Sequence, residues 1–461
     1  MFNNTSRCKE VPGGRVINPK TQTPIASKLH QKLNLAELLA MGIGGMIGGG
    51  IFSVLGMAVN ISGHAAPLAF LIGSFVALGA GYSYVKLALG FHSDGASFTY
   101  LDRAFPKHPN IAGIAGWTVI VGYIGTLALY AYTFGVYGAH LLGSAGSPTV
   151  RMVLSAAVLL FFMLINLQGV KSSGQTEVII VFSKVILLGL FAVAGIFSIK
   201  QDHLFPVFEK GVSSVFIAGA MIFVAFEGFQ LITNAVMETE NADRNIPRGI
   251  YGSILITSLI YFGVAVVAVG NLTPIEIRAA KEYTLAIAAE PALGTAGGIL
   301  VDLAALLATS SAINATAFGA SRMMAEMATE KRMPHRFSFR SRTDVPWIAI
   351  VALTIISGAF TLLGSLETIT LFSSMTFLLI SLAVSVANLK LRKITNSNLW
   401  LILLGMTLML TTIGLLVLHL WQENHQLFFW LGGAFALIAL VEIAFCEREC
   451  RNSSHKQKKS E

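Results

Sequence analysis

Apolar runs of about 20 residues, separated by short clusters of glycine, proline and charge, recur along the chain from Leu35 to Cys446. A helix needs roughly 20 such residues to cross the hydrocarbon of a bilayer, so each run has the length of one span. The pattern predicts twelve spans, over 35–60, 65–90, 111–142, 150–168, 176–199, 212–237, 249–270, 294–322, 345–363, 367–389, 398–420 and 427–446. The expected fold is an all-α polytopic membrane protein, with tails over 1–34 and 447–461.

Composition narrows the class. Of 461 residues, 54% are hydrophobic and only 12% charged, with a mean hydropathy of +0.70. So few charges cannot cover a soluble protein of this size, which excludes a soluble enzyme, and so many spans exclude a single-anchor receptor. The net charge of +8 does not point to nucleic acid, because the basic residues sit between apolar blocks rather than on one wet face. Membrane topology accounts for them. With both termini cytoplasmic, 26 of the 32 lysines and arginines fall on the inner side and five outside, with Lys184 left in the membrane. The inner set includes six in the first 34 residues, Arg7, Lys9, Arg15, Lys20, Lys28 and Lys32, and six in the 322–344 loop. The first segment lacks the apolar core and small-residue cleavage site of a signal peptide, so a retained cytoplasmic tail and a multi-pass protein of the cell (inner) membrane are expected. Contact of the 322–344 loop with anionic lipid is a secondary expectation.

Two spans differ from the others. The first contains GGMIGGGIF (44–52), in which five of nine residues are glycine, and the sixth contains VAFEGF (224–229), with a carboxylate and a glycine in mid-span. Glycine costs a helix interior about 1 kcal/mol relative to alanine. Interrupted spans in corresponding places of two halves point to an inverted-repeat transporter whose site lies at the breaks. Close helix packing is the alternative reading of the glycines. If the first span unwinds, the amides at the start of its second half suit a carboxylate, and freed carbonyls at Met46, Val224 and Glu227 suit an ammonium group. The two breaks together would read a zwitterion.

These stretches also carry a likeness. GGMIGGGIF with SVLG after it, SDGASFTYLDRAF after span two, FVAFEGF with ENADRNIPRGI after span six, and SSAINATAFGASR with KRMP after span eight resemble the amino acid, polyamine and organocation (APC) transporters. The likeness runs from Leu35 to Asn388 and is nearest to prokaryotic proton-coupled, broad-range amino acid transporters. It implies the LeuT-like five-plus-five inverted repeat, spans 1–5 over 35–199 and spans 6–10 over 212–389, with two further spans over 398–446. The chain departs from the family at one point: Ala242 follows Asn241 where Asn-Pro is usual. Carried over, the resemblance puts the substrate carboxylate on the amides of Gly49 and Gly50 beside Gly48, and the ammonium on carbonyls of Met46, Val224 and Glu227, with Ala225 and Phe226 in the same break.

Ionisable groups inside a membrane are functional candidates. Lys184 lies eight residues into span five, about 12 Å deep at 1.5 Å per residue. It either snorkels to the headgroups or meets Gly42 to its one side and Ser310 and Ser311 to the other, at similar depth. In the resembling family a lysine here occupies the place of a sodium ion, which implies that Lys184 carries the coupled proton, with Gly42, Ser310 and Ser311 as partners. Burial opposes the charged form of a lysine, so its protonation can change within a transport cycle. Glu227 has three readings: recognition of a cationic substrate, a second protonatable gate, or a neutral acid bonded to neighbouring helices. Asp302 belongs to a wet outer vestibule or acts as a gate.

Tyr123, Tyr130 and Tyr132 in span three are candidates to line the cavity, with Tyr130 nearest mid-span; Phe226 and Phe229 either gate the site or pack. His64, His92, His108, His140 and His419 fall near span ends without metal-ligand spacing, and are read as interfacial. Cys8, Cys446 and Cys450 form no framework or CxxC pair. The glycine strings lack the Lys-Ser/Thr of a phosphate loop, so no cofactor or metal is expected and energy comes from an ion gradient or from exchange. The leading expectation is a proton-coupled amino acid importer working by alternating access; an amino acid or polyamine exchanger is the second, and a channel or non-transporting sensor the third. The charge asymmetry makes a direct prediction: a cysteine placed in the 322–344 loop reacts with an impermeant maleimide only from the cytoplasmic side, and labelling confined to the outer side would invert the topology.

Overall fold

The computed structural model describes residues 32–92, 96–169, 174–342 and 344–460. The N-terminal tail over 1–31 with Cys8, positions 93–95 of the SDGASFTYLDRAF stretch, and Lys171 lie outside the described residues, as do the side chains of Cys446 and Cys450. The rest is helical. In order the helices are α1 (Leu35–Met46), α2 (Gly50–Ser62), α3 (Ala66–Phe91), α4 (Ala96–Ala104), α5 (Pro109–Leu141), α6 (Pro148–Leu167), α7 (Gly174–Ile196) and α8 (Val212–Met221), then α9 (Ala242–Asn271), α10 (Pro274–Ala280), α11 (Thr284–Thr329), α12 (Trp347–Leu363), α13 (Leu366–Leu391), α14 (Leu399–Glu423) and α15 (His425–Ser460). Between α8 and α9 the chain forms a 3-10 helix over Ile222–Glu238.

Ten helical stretches among the described residues are long and apolar enough to cross a membrane. This is fewer than the twelve expected, for two physical reasons. Gly50–Phe91 runs on through a single 3-10 turn and counts as one stretch, and the helices Leu35–Met46 and Trp347–Leu363 fall short of full length. The protein is nonetheless polytopic and all-helical. α11 is 46 residues long but bends at Gly294, whose φ of 65° only glycine adopts without strain, so its spanning part starts where the eighth span was expected. Ala242 in place of proline does not disturb the start of α9, where Asn241 takes the left-handed φ of 46° before the first turn.

Both expected interruptions are present. α1 starts from a capping box between Asn34 and Glu37 and stops at Ile47, whose ψ of 63° leaves the helical region. α8 gives way at Met221 to 17 residues of 3-10 helix, far beyond the usual three or four. These two interrupted elements lie antiparallel in the middle of the bundle. Leu33 pairs with the far end of the 3-10 helix, its N–H donating to the Glu238 carbonyl at 2.8 Å and its own carbonyl accepting from Glu240 at 2.9 Å. At the breaks they meet backbone to backbone: a Cβ on Gly228 would run into Gly45 and Met46, and one on Gly50 would sit 2.8 Å from the Ala225 Cβ. Helices α3, α5, α7, α9, α11 and α13 pack around this pair, while α6, α14 and α15 present mostly exposed apolar faces.

The close approach predicts that Gly228→Ala lowers the melting temperature of the purified protein in detergent, since overpacking costs about 1–3 kcal/mol and outweighs the ~1 kcal/mol gained in helix propensity. Gly189→Ala, with nothing within 4 Å of its Cβ, should leave the melting temperature unchanged or raised.

Candidate functional site

An interrupted helix exposes backbone groups that water cannot satisfy inside a membrane, so partners must come from neighbouring side chains. In this chain they come mainly from hydroxyls. The Tyr261 hydroxyl, on α9, reaches both breaks, donating to the Met46 carbonyl at 2.5 Å and sharing with the Ala225 carbonyl at 3.2 Å. Tyr130, on α5, donates to the Gly45 carbonyl at 3.1 Å, and Tyr137, about two turns further on the same face, to the Phe52 carbonyl at 2.8 Å. Ser374, on α13, accepts from the Val224 amide at 3.0 Å and donates to the Met221 carbonyl, closing the end of α8.

The start of α2 is buried and has no side-chain cap. Its N-cap, Gly49, supplies no side-chain cap, and the Ser53 hydroxyl donates back to the Gly49 carbonyl at 2.6 Å. The first amides of a helix have no partner within it and carry its partial positive charge. Tyr130 lies across this turn, 3.0 Å from a Cβ built on Gly48 and 2.7 Å from one on Gly49. The glycines therefore do both things considered for them: they end a helix, and they let an aromatic ring and a second backbone come close.

Lys184 is 1% exposed and faces the break. Its ammonium donates to the Ile47 carbonyl at 3.0 Å and to Ser311 Oγ at 2.9 Å, which ties α7 to the turn between α1 and α2 and to α11. Of the expected partners, Ser311 bonds it and Ser310 adjoins on α11, but the backbone acceptor is Ile47 rather than Gly42. Gly42 is more than a helical turn earlier, with its α-carbon packed toward Ser253 and Ile232.

A narrow cleft of about 10 Å³, room for about one water, borders the breaks, lined in part by Gly45, Tyr123, Tyr130, Glu227, Gln230 and Thr316. Glu227 is buried there, accepting at Oε1 from Thr126 at 3.1 Å. Phe226 and Phe229 are fully buried outside the cleft. Phe226 packs edge-on against Tyr261 with centroids 5.3 Å apart, and Phe229 against Tyr84 at 5.5 Å. Asp302 lies apart from the breaks, toward the α10 end of the bundle, where it is 1% exposed and takes His140 Nδ1 at 2.8 Å. The imidazole stacks on Tyr283, centroids 4.6 Å apart. His140 is half-buried in the last turn of α5 and pairs with the buried Asp302. Among the described residues no cluster of His, Cys, Asp or Glu could hold a metal ion.

Sequence reasoning missed Tyr261, Thr126, Gln230, Thr316 and Ser374. A tyrosine in the middle of the apolar span 249–270 was the available signal; the others are single polar residues like many elsewhere in the spans. Tyr261→Phe keeps the ring packed on Phe70 and Phe226 but removes the donor from two buried carbonyls, each costing about 1–3 kcal/mol when unsatisfied. The variant is expected to melt lower in detergent than the parent; an unchanged melting temperature would show that the Met46 and Ala225 carbonyls have other donors.

Comparison with known proteins gives this architecture a family. A family model described as "Amino acid permease" matches residues 33–418. An uncharacterised protein of Methanocaldococcus jannaschii is 30% identical, over 90% of this chain and 95% of its own. The inner membrane transport protein YbaT of Escherichia coli is 29% identical, over 89% of this chain and 96% of its own. The serine/threonine exchanger SteT of Bacillus subtilis is 27% identical, over 71% and 76%. The match takes in both breaks, Lys184 and the surrounding helices, and makes the protein a multi-pass membrane transporter rather than an enzyme. The chain belongs to the amino acid permease family.

Proposed function

We propose that the protein imports amino acids across the cell (inner) membrane by alternating access, coupled to protons, with both termini cytoplasmic. The observation that carries this reading is the Lys184 ammonium seated between the Ile47 carbonyl of the break and Ser311. A fixed cation there does the work of a bound metal ion, with the difference that it is loaded and unloaded by a proton. Charged, Lys184 holds the α1–α2 turn, α7 and α11 in one arrangement; neutral, it releases the Ile47 carbonyl and lets the halves move. The twelve spans then form two inverted five-helix repeats, over 35–199 and 212–389, followed by two further helices.

The substrate carboxylate meets the amides of Gly49 and Gly50 at the start of α2, where the helix dipole favours an anion. The ammonium takes carbonyls from the facing ends at Met46, Val224 and Glu227, sharing Met46 with the Tyr261 hydroxyl. Tyr130 closes over this turn from α5. A second reading, obligatory exchange of one amino acid for another, has one specific support in the serine/threonine exchanger among the relatives.

Reconstitution into proteoliposomes separates the two readings. With an amino acid panel outside and a pH gradient imposed, inside alkaline, the proposal expects accumulation without internal substrate; dependence on internal substrate favours the exchanger. Lys184→Ala should lose gradient-driven accumulation while retaining counterflow of labelled substrate. Accumulation equal to that of the parent protein would remove Lys184 from the coupling.

A further inference from the structure

Of the long apolar stretches among the described residues, the one in α15 is the least buried, yet it turns a carboxyl inward. Beyond Leu431, Glu442 is the only fully buried residue of α15 among those whose side chains are described, at 1% exposed, while Leu437, Leu440, Val441 and Ile443 around it are open. An ionisable group inside a membrane is costly, and the bonds at the breaks do not involve this one. Gly113, on the second turn of α5, makes room for it: a Cβ built there would overlap Glu442 Oε1. The other carboxyl oxygen, Oε2, is buried and makes no hydrogen bond.

Trp117 lies one turn along the same face of α5 and reaches the residue just past the end of α11, its indole N–H donating to the Arg332 carbonyl at 3.0 Å. The Arg332 N–H donates to the Met327 carbonyl at 2.8 Å as α11 ends, with Lys331 in the left-handed region at a φ of 62°. Both backbone groups of Arg332 are thus held, so any change of partner falls to its side chain. The guanidinium lies 3.6 Å from Asp102 Oδ1 and so ties α4 to the end of α11, at the inner end of the bundle in the proposed topology. The Asp102 side chain is 46% exposed, and Glu326 and Glu330 at the end of α11 are exposed, so water meets these three carboxylates. Water does not meet Glu442 Oε2.

We infer that Glu442 is the second seat of the Arg332 guanidinium: Arg332 pairs with Asp102 while the inner end is closed and turns to Glu442 as it opens, so that the last span holds the open state. Opening draws α4 away from α11 and breaks a long, half-exposed pair, which water compensates. A buried oxygen without a donor gains more from the same guanidinium, because it has no other partner to lose. The Arg332 side chain is only 21% exposed, so the exchange takes little further surface from water. Trp117 keeps the two residues side by side, holding the backbone of one a turn away from the glycine that seats the other. The inference rests on the alternating-access reading for its two states, and on neither the substrate nor Lys184. It gives α15, which lies outside both proposed repeats, a part in the cycle.

The test uses the full chain in lipid nanodiscs, with Cys8, Cys446 and Cys450 replaced by serine and a mixture of the twenty protein amino acids present. Spin labels on Arg103→Cys of α4 and Thr329→Cys of α11, both exposed positions, report the distance across the Asp102–Arg332 contact by pulsed electron paramagnetic resonance. The parent is expected to show a short and a long distance. Glu442→Gln should lower the long fraction severalfold and Asp102→Asn should raise it severalfold. Gly113→Ala, which displaces the carboxyl by another route, should act like Glu442→Gln. With Arg332→Gln already present, Glu442→Gln should change nothing further, a result that a packing role for Glu442 does not give. A single distance in the parent overturns alternating access at this end, and the inference with it. Two distances whose long fraction Glu442→Gln does not lower, or an equal effect of Glu442→Gln with and without Arg332, overturn the inference alone. Each variant must elute as a single monodisperse species.

Discussion

Backbone carbonyls and amides cannot be left unanswered in the middle of a membrane, and this requirement governs the rest of the structure. Two central elements are interrupted, α1–α2 at residues 47–49 and α8 at Met221, and carbonyls at both breaks find partners on other helices. Tyr261 answers Met46 and Ala225, Tyr130 answers Gly45, Lys184 answers Ile47, and Ser374 answers Met221 and Val224. The donors stand on α9, α5, α7 and α13, so satisfying the breaks also gathers the bundle around them. Gly45 and Gly228 make this geometry possible, because a side chain at Gly228 would force the two backbones apart.

The same requirement links structure to transport. Partners that are hydroxyls and an ammonium, rather than a continuous helix, can be exchanged for groups on a substrate or lost with a proton at modest cost. Lys184 has the greatest leverage among them, since it alone brings a full charge to the breaks and bonds two separate elements at once. In the proposed cycle the protein spends most of its conformational change on trading these few bonds. The Asp302–His140 pair sits away from the breaks, beside Tyr283.

Much of this was legible before any coordinates. Glycine density marked the first break, and a carboxylate with a glycine in mid-span marked the second, because both contradict the composition a continuous spanning helix favours. Lys184 was visible for the same reason, as a charge where none is tolerated without purpose. What stayed hidden was pairing across the fold. Tyr261 is one of ten tyrosines, and nothing local says that its hydroxyl bridges two breaks. The His140 partner, Asp302, is 162 residues away, and the Ile47 carbonyl that meets Lys184 lies 137 residues from it. Ten long stretches stand against twelve expected spans because a 3-10 turn joins two of them and Trp347–Leu363 is too short to count, local details that hydropathy does not register.

The central claim is that the uncapped start of α2 receives the substrate carboxylate between the two breaks. An experimental structure of the protein with a transported amino acid bound tests it most directly. The account predicts the carboxylate within hydrogen-bond distance of the Gly49 and Gly50 amides, the ammonium facing the 3-10 helix near Val224 and Glu227, and Lys184 still on Ile47. A substrate bound elsewhere, with the first turn of α2 covered by protein side chains, would contradict it.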